Sequence, residues 1–294
     1  MISETTDFVV RVEDNLMLRV YSDCQPHNLE ISSLQKGLVL VRQGEELIGE
    51  GSGFGLPIVK YSEKTYLSST ATVVVSNISE NESEDSFLRI TKRFMMDTIS
   101  RKTLGDKIFV DGPAYNRVSR LIQRKYRESP SSRWITKPLV ELRNPLFGIR
   151  TLFCRVQPKG YVTMVYDIFS GRIVVRADFT KVSKQRCERF YLMNEQSSTF
   201  FREYSDSDGK VFKDEEIGAW DRVEARCATL SDINDEVGFT LERLPDCELF
   251  RGRERIRGRF DWAGLDYELN SGIDSFEYAV HFDKSANYGH TRQS

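Results

Sequence analysis

Histidine is scarce in this chain: His27, His281 and His290 are all it has. None stands at metal-ligand spacing from a second ligand, so no metal centre and no cofactor are expected, with oxygen-only ligation left open. A Ser-His-Asp arrangement would also need a nucleophile elbow, and none is present. The five cysteines (Cys24, Cys154, Cys187, Cys227, Cys247) are odd in number and widely spread, with no C-x-x-C pair. That spacing excludes a zinc ribbon or a disulfide framework and fits buried free thiols in a reducing compartment. Charge excess of either sign is missing as well. Lys+Arg total 42 and Asp+Glu 44, which argues against a dedicated nucleic-acid binder. No run reaches the ~18 apolar residues of a membrane span. MISETTDFVV lacks a basic segment before an apolar stretch, so no signal peptide is expected. A soluble cytoplasmic protein follows as the default, its oligomeric state open.

Aromatic residues, by contrast, are plentiful. Eighteen Phe and twelve Tyr within 39% hydrophobic content supply a large core, which excludes global disorder. Most of the chain alternates as strands do. Phe8–Glu13 and Asn15–Ser22 form an expected hairpin about Asp14. Strand patterns follow at Gly37–Arg42, Pro57–Lys60, Thr65–Ser69, Thr72–Ser76 and, past an acidic loop at residues 77–86, Phe87–Phe94. The clearest hairpin is Tyr161–Phe169 with Arg172–Thr180 around Ser170-Gly171. Its register pairs Ile168 with Ile173, Tyr166 with Val175, Met164 with Ala177 and Val162 with Phe179. All eight share one face, and the other face is wetter, the pattern of an antiparallel sheet covered on one side.

One segment departs from this rhythm. Ala114–Arg127 carries Val118, Leu121 and Ile122 at helical spacing, follows Asp111-Gly112-Pro113 and ends before Ser129-Pro130. Arg117, Arg120, Arg124 and Arg127 make a basic stripe on its other side, read as a solvated face. The fold expected is all-β: a large antiparallel two-sheet sandwich, a closed barrel being the second choice, with this one decorating helix. It should be a single domain over residues 1–284, with 285–294 a flexible tail. Size and strand density resemble the large sandwiches of aldose-mutarotase-like enzymes, a likeness of architecture without a shared motif.

GSGFGLPIVK, within GEGSGFGLPIVKY (residues 49–61), resembles the glycine-rich box of sensor histidine kinase ATPase domains. The resemblance covers about ten residues and then fails. Pro57 and a strand follow where that family has a helix, and the upstream Asn-bearing helix and D-x-G-x-G element are absent. Spacing offers another reading. Gly49, Gly51, Gly53 and Gly55 fall on alternate positions, so an extended chain here has one bare face. Such a face admits another backbone, a ring or a ligand. Gly53 and Gly55 are therefore candidate ligand contacts beside the structural alternative of a tight corner or bulge.

Arg251–Phe260 alternates most regularly. Arg251, Arg253, Arg255, Arg257 and Arg259 take one face, with Gly252, Glu254, Ile256, Gly258 and Phe260 on the other. Ala263-Gly264 is the expected hairpin loop after it, placing Phe260 opposite Tyr267 and Arg259 opposite Glu268. Asp261, Asp266 and Glu268 then join the arginine face, either as a solvated ion lattice or as a site where Arg253 and Arg255 hold an anion. The opposite face combines Trp262, Leu265 and Tyr267 with glycine gaps and one acid, Glu254. A carboxylate among apolar groups has a raised pKa and suits general acid–base work, unless it lies at a strand end and reaches water. Rings beside an acid and a gap suit a sugar.

The first functional expectation is thus a carbohydrate-binding or carbohydrate-processing protein. Glu254 is the acid or base, Trp262 and Tyr267 the stacking rings, and Asp266 or an arginine a polar contact. The alternative is a lipid- or isoprenoid-binding protein with an apolar cavity and arginines at its mouth. An interaction module without a small-molecule site is the third.

Overall fold

The computed structural model describes residues 8–13, 16–20, 36–42, 45–47, 52–62, 65–78, 87–104, 150–234, 237–256 and 260–282. The expected helix at 114–127, the tail at 285–294, Gly49, Gly51, Arg257, Gly258 and Arg259 lie outside them. The chain groups into two compact units, residues 1–98 with 157–294, and residues 99–156. In the second unit the described residues are strand throughout.

Four strands make a first sheet in sequence order: β1 (Phe8–Glu13), β2 (Leu16–Val20), β3 (Val39–Arg42) and β4 (Glu45–Glu46). The chain continues through β5 (Gly53–Tyr61), β6 (Thr65–Ile78), β7 (Phe87–Leu104), β8 (Arg150–Val156), β9 (Tyr161–Phe169) and β10 (Arg172–Asp178). Next come β11 (Cys187–Gln196), β12 (Glu203–Asp206), β13 (Val211–Lys213), a 3-10 turn (Asp214–Ile217) and β14 (Asp221–Arg222). Last are β15 (Cys227–Ser231), β16 (Gly238–Glu242), β17 (Cys247–Ile256), β18 (Phe260–Asn270) and β19 (Ser275–His281). Fifteen of these strands form one sheet in the order β13-β12-β15-β16-β19-β10-β9-β7-β6-β5-β11-β18-β17-β14, with β8 on β7. The sheet is open, not a closed barrel, and no α-helix occurs among the described residues. No helix there is long and apolar enough to cross a membrane.

Hydrophobic alternation drives this architecture. In the β9–β10 hairpin the pairs Ile168–Ile173, Tyr166–Val175 and Met164–Ala177 form as expected, and those six residues with Val162 and Phe179 are all buried. β6 carries a bulge between Ser68 and Ala71 where two shorter strands were expected, and it links β5 on one side to β7 on the other. The two halves of the long sheet meet through aromatic rings. Phe179 stacks on Phe190 at 4.3 Å, Phe54 meets Phe239 at 5.0 Å, and Tyr267 meets Tyr278 at 5.0 Å. This is the sandwich core.

The strand pairing around β17 corrects three expectations. Ala263-Gly264 is not a loop. It lies inside β18, and the chain reverses between Ile256 and Phe260, so Glu254 pairs with Trp262 and Gly252 with Gly264. The reason is burial: Ala263 and Leu265 are completely covered, and a turn there would expose them. Next, the arginine face is the inner one. Arg251 and Arg253 share it with fully buried Leu249, and the Glu254 face is the half-exposed outer one. Asp266 therefore leaves the arginine face, pairing with Phe250 on the outer side.

Candidate functional site

One cross-strand row on the outer face of the sheet is almost without side chains. Gly53 on β5 pairs with Glu195 on β11, Glu195 with Gly264 on β18, and Gly264 with Gly252 on β17. A carboxylic acid flanked by glycines can lie flat along the sheet. A Cβ on Gly264 would stand 2.9 Å from Glu195 Cγ and 3.2 Å from Asp266 Oδ2, so both acids border the same gap. The Ser52 amide donates to Glu195 Oε2 at 3.1 Å. Asp266 is fully buried. Its Oδ1 accepts the Asn194 amide, and its Oδ2 has no hydrogen-bond partner among the described residues.

Burial governs the electrostatics here. It pushes the Glu195 carboxyl up to about 7, against the opposing pull of the Ser52 hydrogen bonds and the Lys36 charge. Burial, and then the charge of Glu195, hold Asp266 well above the usual carboxylate range. Trp220 reaches the strands on either side of β18. Its ring stacks on Phe250 of β17 at 5.1 Å and meets Tyr191 of β11 edge-on at 6.2 Å.

Gly55 sets where Ser52 and Gly53 meet Glu195. It sits at a bulge, at φ +73°, and a Cβ there would stand 2.8 Å from the Tyr166 ring. Its amide donates to Asn194 Oδ1 at 3.0 Å, and its carbonyl accepts the Tyr166 hydroxyl at 2.9 Å. Gly53, at φ +74°, is approached by the Leu38 carbonyl. The bare face expected of an extended run is thus a kinked one, because left-handed backbone breaks the pleat, and the protein's own groups fill these gaps. Gly55→Ala combines left-handed strain with a ring clash and should lower the unfolding free energy by about 2 kcal/mol, read from the urea midpoint.

The other expected site residues are distributed as follows. Trp262 is half-exposed, and its ring lies over Gly252, whose Cβ would stand 2.6 Å from it. Glu254, also half-exposed, is its cross-strand partner. Tyr267 is a core residue: it is completely buried on the inner face, donates to the Glu242 carbonyl and packs on Phe276 and Tyr278. Arg253 is buried, with Nη2 3.1 Å from Asp214, Nη1 3.3 Å from Glu215, and Nη2 donating to the Ser198 carbonyl. Arg251 donates to the Ile217 carbonyl at 2.9 Å and lies over the Tyr204 and Phe212 rings. These two arginines grip the 3-10 turn rather than an open pocket mouth. Arg255 is exposed.

The structure therefore brings Asp266, Gly53 and the Trp262–Glu254 pair onto one face around Glu195, and sets Gly55 behind it. Glu195 carries no local motif of its own. Its signal was the alternation Phe190, Leu192, Asn194, Gln196, an inner face that turns from apolar to amide. Among the described residues no group of three or more His, Cys, Asp or Glu could hold a metal ion.

No family model and no curated protein sequence matches the chain. Solved structures similar to it include the Slr1438 protein from Synechocystis sp. PCC 6803, 9% identical, with a TM-score of 0.33 over 96% of this chain and 98% of that one. A galactose mutarotase-like protein from Lactobacillus casei ATCC 334 is also 9% identical, with a TM-score of 0.38 over 95% and 99%.

Proposed function

We propose that the protein binds carbohydrate on the outer face of β11, β18 and β17. The observation that carries this reading is the half-exposed Trp262 indole lying over Gly252 beside Glu254, with Glu195 in the adjacent row. A sugar ring presents a C–H face to an aromatic ring and its hydroxyls to carboxyl groups, and this face offers both within one cross-strand step. Glu254 is the polar contact nearest the ring, and the acid or base if the bound sugar is also turned over.

Trp262→Ala should weaken binding of a neutral sugar about tenfold or more, measured by calorimetry against glucose, galactose, maltohexaose and cellohexaose. Glu254→Gln should keep binding and lose any turnover. Equal affinity in wild type and Trp262→Ala would overturn the reading, as would a lipid co-purifying with the protein in native mass spectrometry.

A further inference from the structure

A buried carboxylate oxygen without a partner is costly, and two acids bordering one gap cannot both ionise cheaply. Asp266 Oδ2 is such an oxygen, and Glu195 is the acid beside it. Among the described residues Lys36, ahead of β3, acts on Glu195 as a charge, with Ser52 as its hydrogen-bond donor. Among the described residues Asp266 feels Glu195 as a charge, with the Asn194 backbone amide as its donor, and acts in turn on the buried Tyr278 hydroxyl. The remaining polar neighbour, Asn194, has its side chain turned to the core and fully used.

We propose that Glu195 and the buried Asp266 behind it keep a proton between them, with Glu195 at the floor of the ligand site, making it selective for neutral polyhydroxylated ligands and coupling their binding to proton uptake. This rests on the carbohydrate reading of the face. The direction follows from solvation. A ligand covering the glycine row strips water from the half-buried Glu195 and favours its uncharged form, which donates a hydrogen bond to a sugar hydroxyl. As pH rises through the ionisation of Glu195, a proton must be taken up with each ligand bound, and affinity falls. An anionic sugar meets this acid pair, and Arg251 and Arg253 do not balance it because they are turned inward onto the 3-10 turn.

Two measurements test it. In the ligand-free protein, infrared titration of the carboxyl stretch should show one acid ionising near neutrality, absent from Glu195→Gln. Both acids titrating in the ordinary carboxylate range would overturn the shared proton. Calorimetry with the same four neutral sugars at pH 6, 7 and 8 should then show affinity dropping up to tenfold per unit above neutrality. Glu195→Gln, an isostere of the protonated acid, should remove the pH dependence of whatever affinity it retains. Wild-type affinity that is flat with pH overturns the coupling and leaves carbohydrate binding intact. Failure of every sugar to bind, with the neutral titration present, overturns the carbohydrate reading and the coupling, but not the shared proton.

Discussion

Replacing Asn194 with leucine should lower the unfolding free energy by about 4 kcal/mol, one of the largest losses available to a single substitution in this protein. The side chain uses its whole hydrogen-bonding capacity inside the core. Oδ1 accepts the Gly55 amide at 3.0 Å and the Tyr278 hydroxyl at 2.7 Å, and Nδ2 donates to the carbonyls of Leu265 at 3.0 Å and Leu192 at 3.3 Å. Leucine keeps most of the volume and abandons every partner. Each orphaned buried group costs about 1–3 kcal/mol, and the costs do not add in full because some groups relax toward one another. Urea unfolding should report the loss as a lower midpoint with an unchanged slope. Because Asn194 also pins the Gly55 bulge, the variant should lose sugar binding while still folded at low denaturant. Stability and binding that both match wild type would sink the account of the bulge.

The second large effect is on pH. Glu195 moves from an ordinary value of 4.5 to about 7 on folding. A carboxyl raised in this way stabilises the fold while protonated. Its contribution is fully present below the unfolded value and is lost as pH rises through the folded one. The stability of the wild type should therefore fall by about 3 kcal/mol between about pH 4.5 and pH 8. Asp266, raised by burial and by its neighbour, acts with the same sign. Other acids oppose this only at lower pH. Burial pushes Asp167 up, but hydrogen bonds and charge from Arg89 and Arg176 outweigh it and hold it below its usual range. Asp214 is held low by its hydrogen bonds to Arg202. Those contributions are lost as pH falls below about 4, so the two trends leave a stability maximum in mild acid. Glu195→Gln should flatten the upper limb. Thermal unfolding across the range measures both; a wild-type curve that rises steadily to pH 8 would falsify the raised acid.

Much of the architecture is legible in the amino-acid sequence. The β9–β10 hairpin declared its register because a two-residue turn fixes which positions face one another, and eight apolar residues then fell on one side. Burial around β17 was harder to read for a physical reason. Period-two alternation states that Arg251, Arg253 and Arg255 share a face but not which face is inward, and arginine argued for solvent. The inner face accepts Arg251 and Arg253 because the 3-10 turn supplies carbonyls and carboxylates to receive them. The hairpin loop was misplaced because Ala263-Gly264 satisfies turn chemistry equally well as a sequence. Only the burial of Ala263 and Leu265 decides otherwise. Glu195 was silent because its character comes from neighbours distant in sequence, with Ser52 143 residues away. Asp266 is visible as a residue, while its burial comes from partners distant in sequence, with Asn194 72 residues away, which no local pattern encodes.

β13 and β14 end the long sheet on opposite sides, yet they are consecutive in the chain, joined through the 3-10 turn that Arg251 and Arg253 hold. One short connector thus ties both border strands to the sheet at once. Loosening it by proteolytic nicking or by loss of either arginine would bare two rows of backbone donors and acceptors together, and a molecule with two open borders can add copies at each end. Its natural failure would be growth into chains rather than simple unfolding.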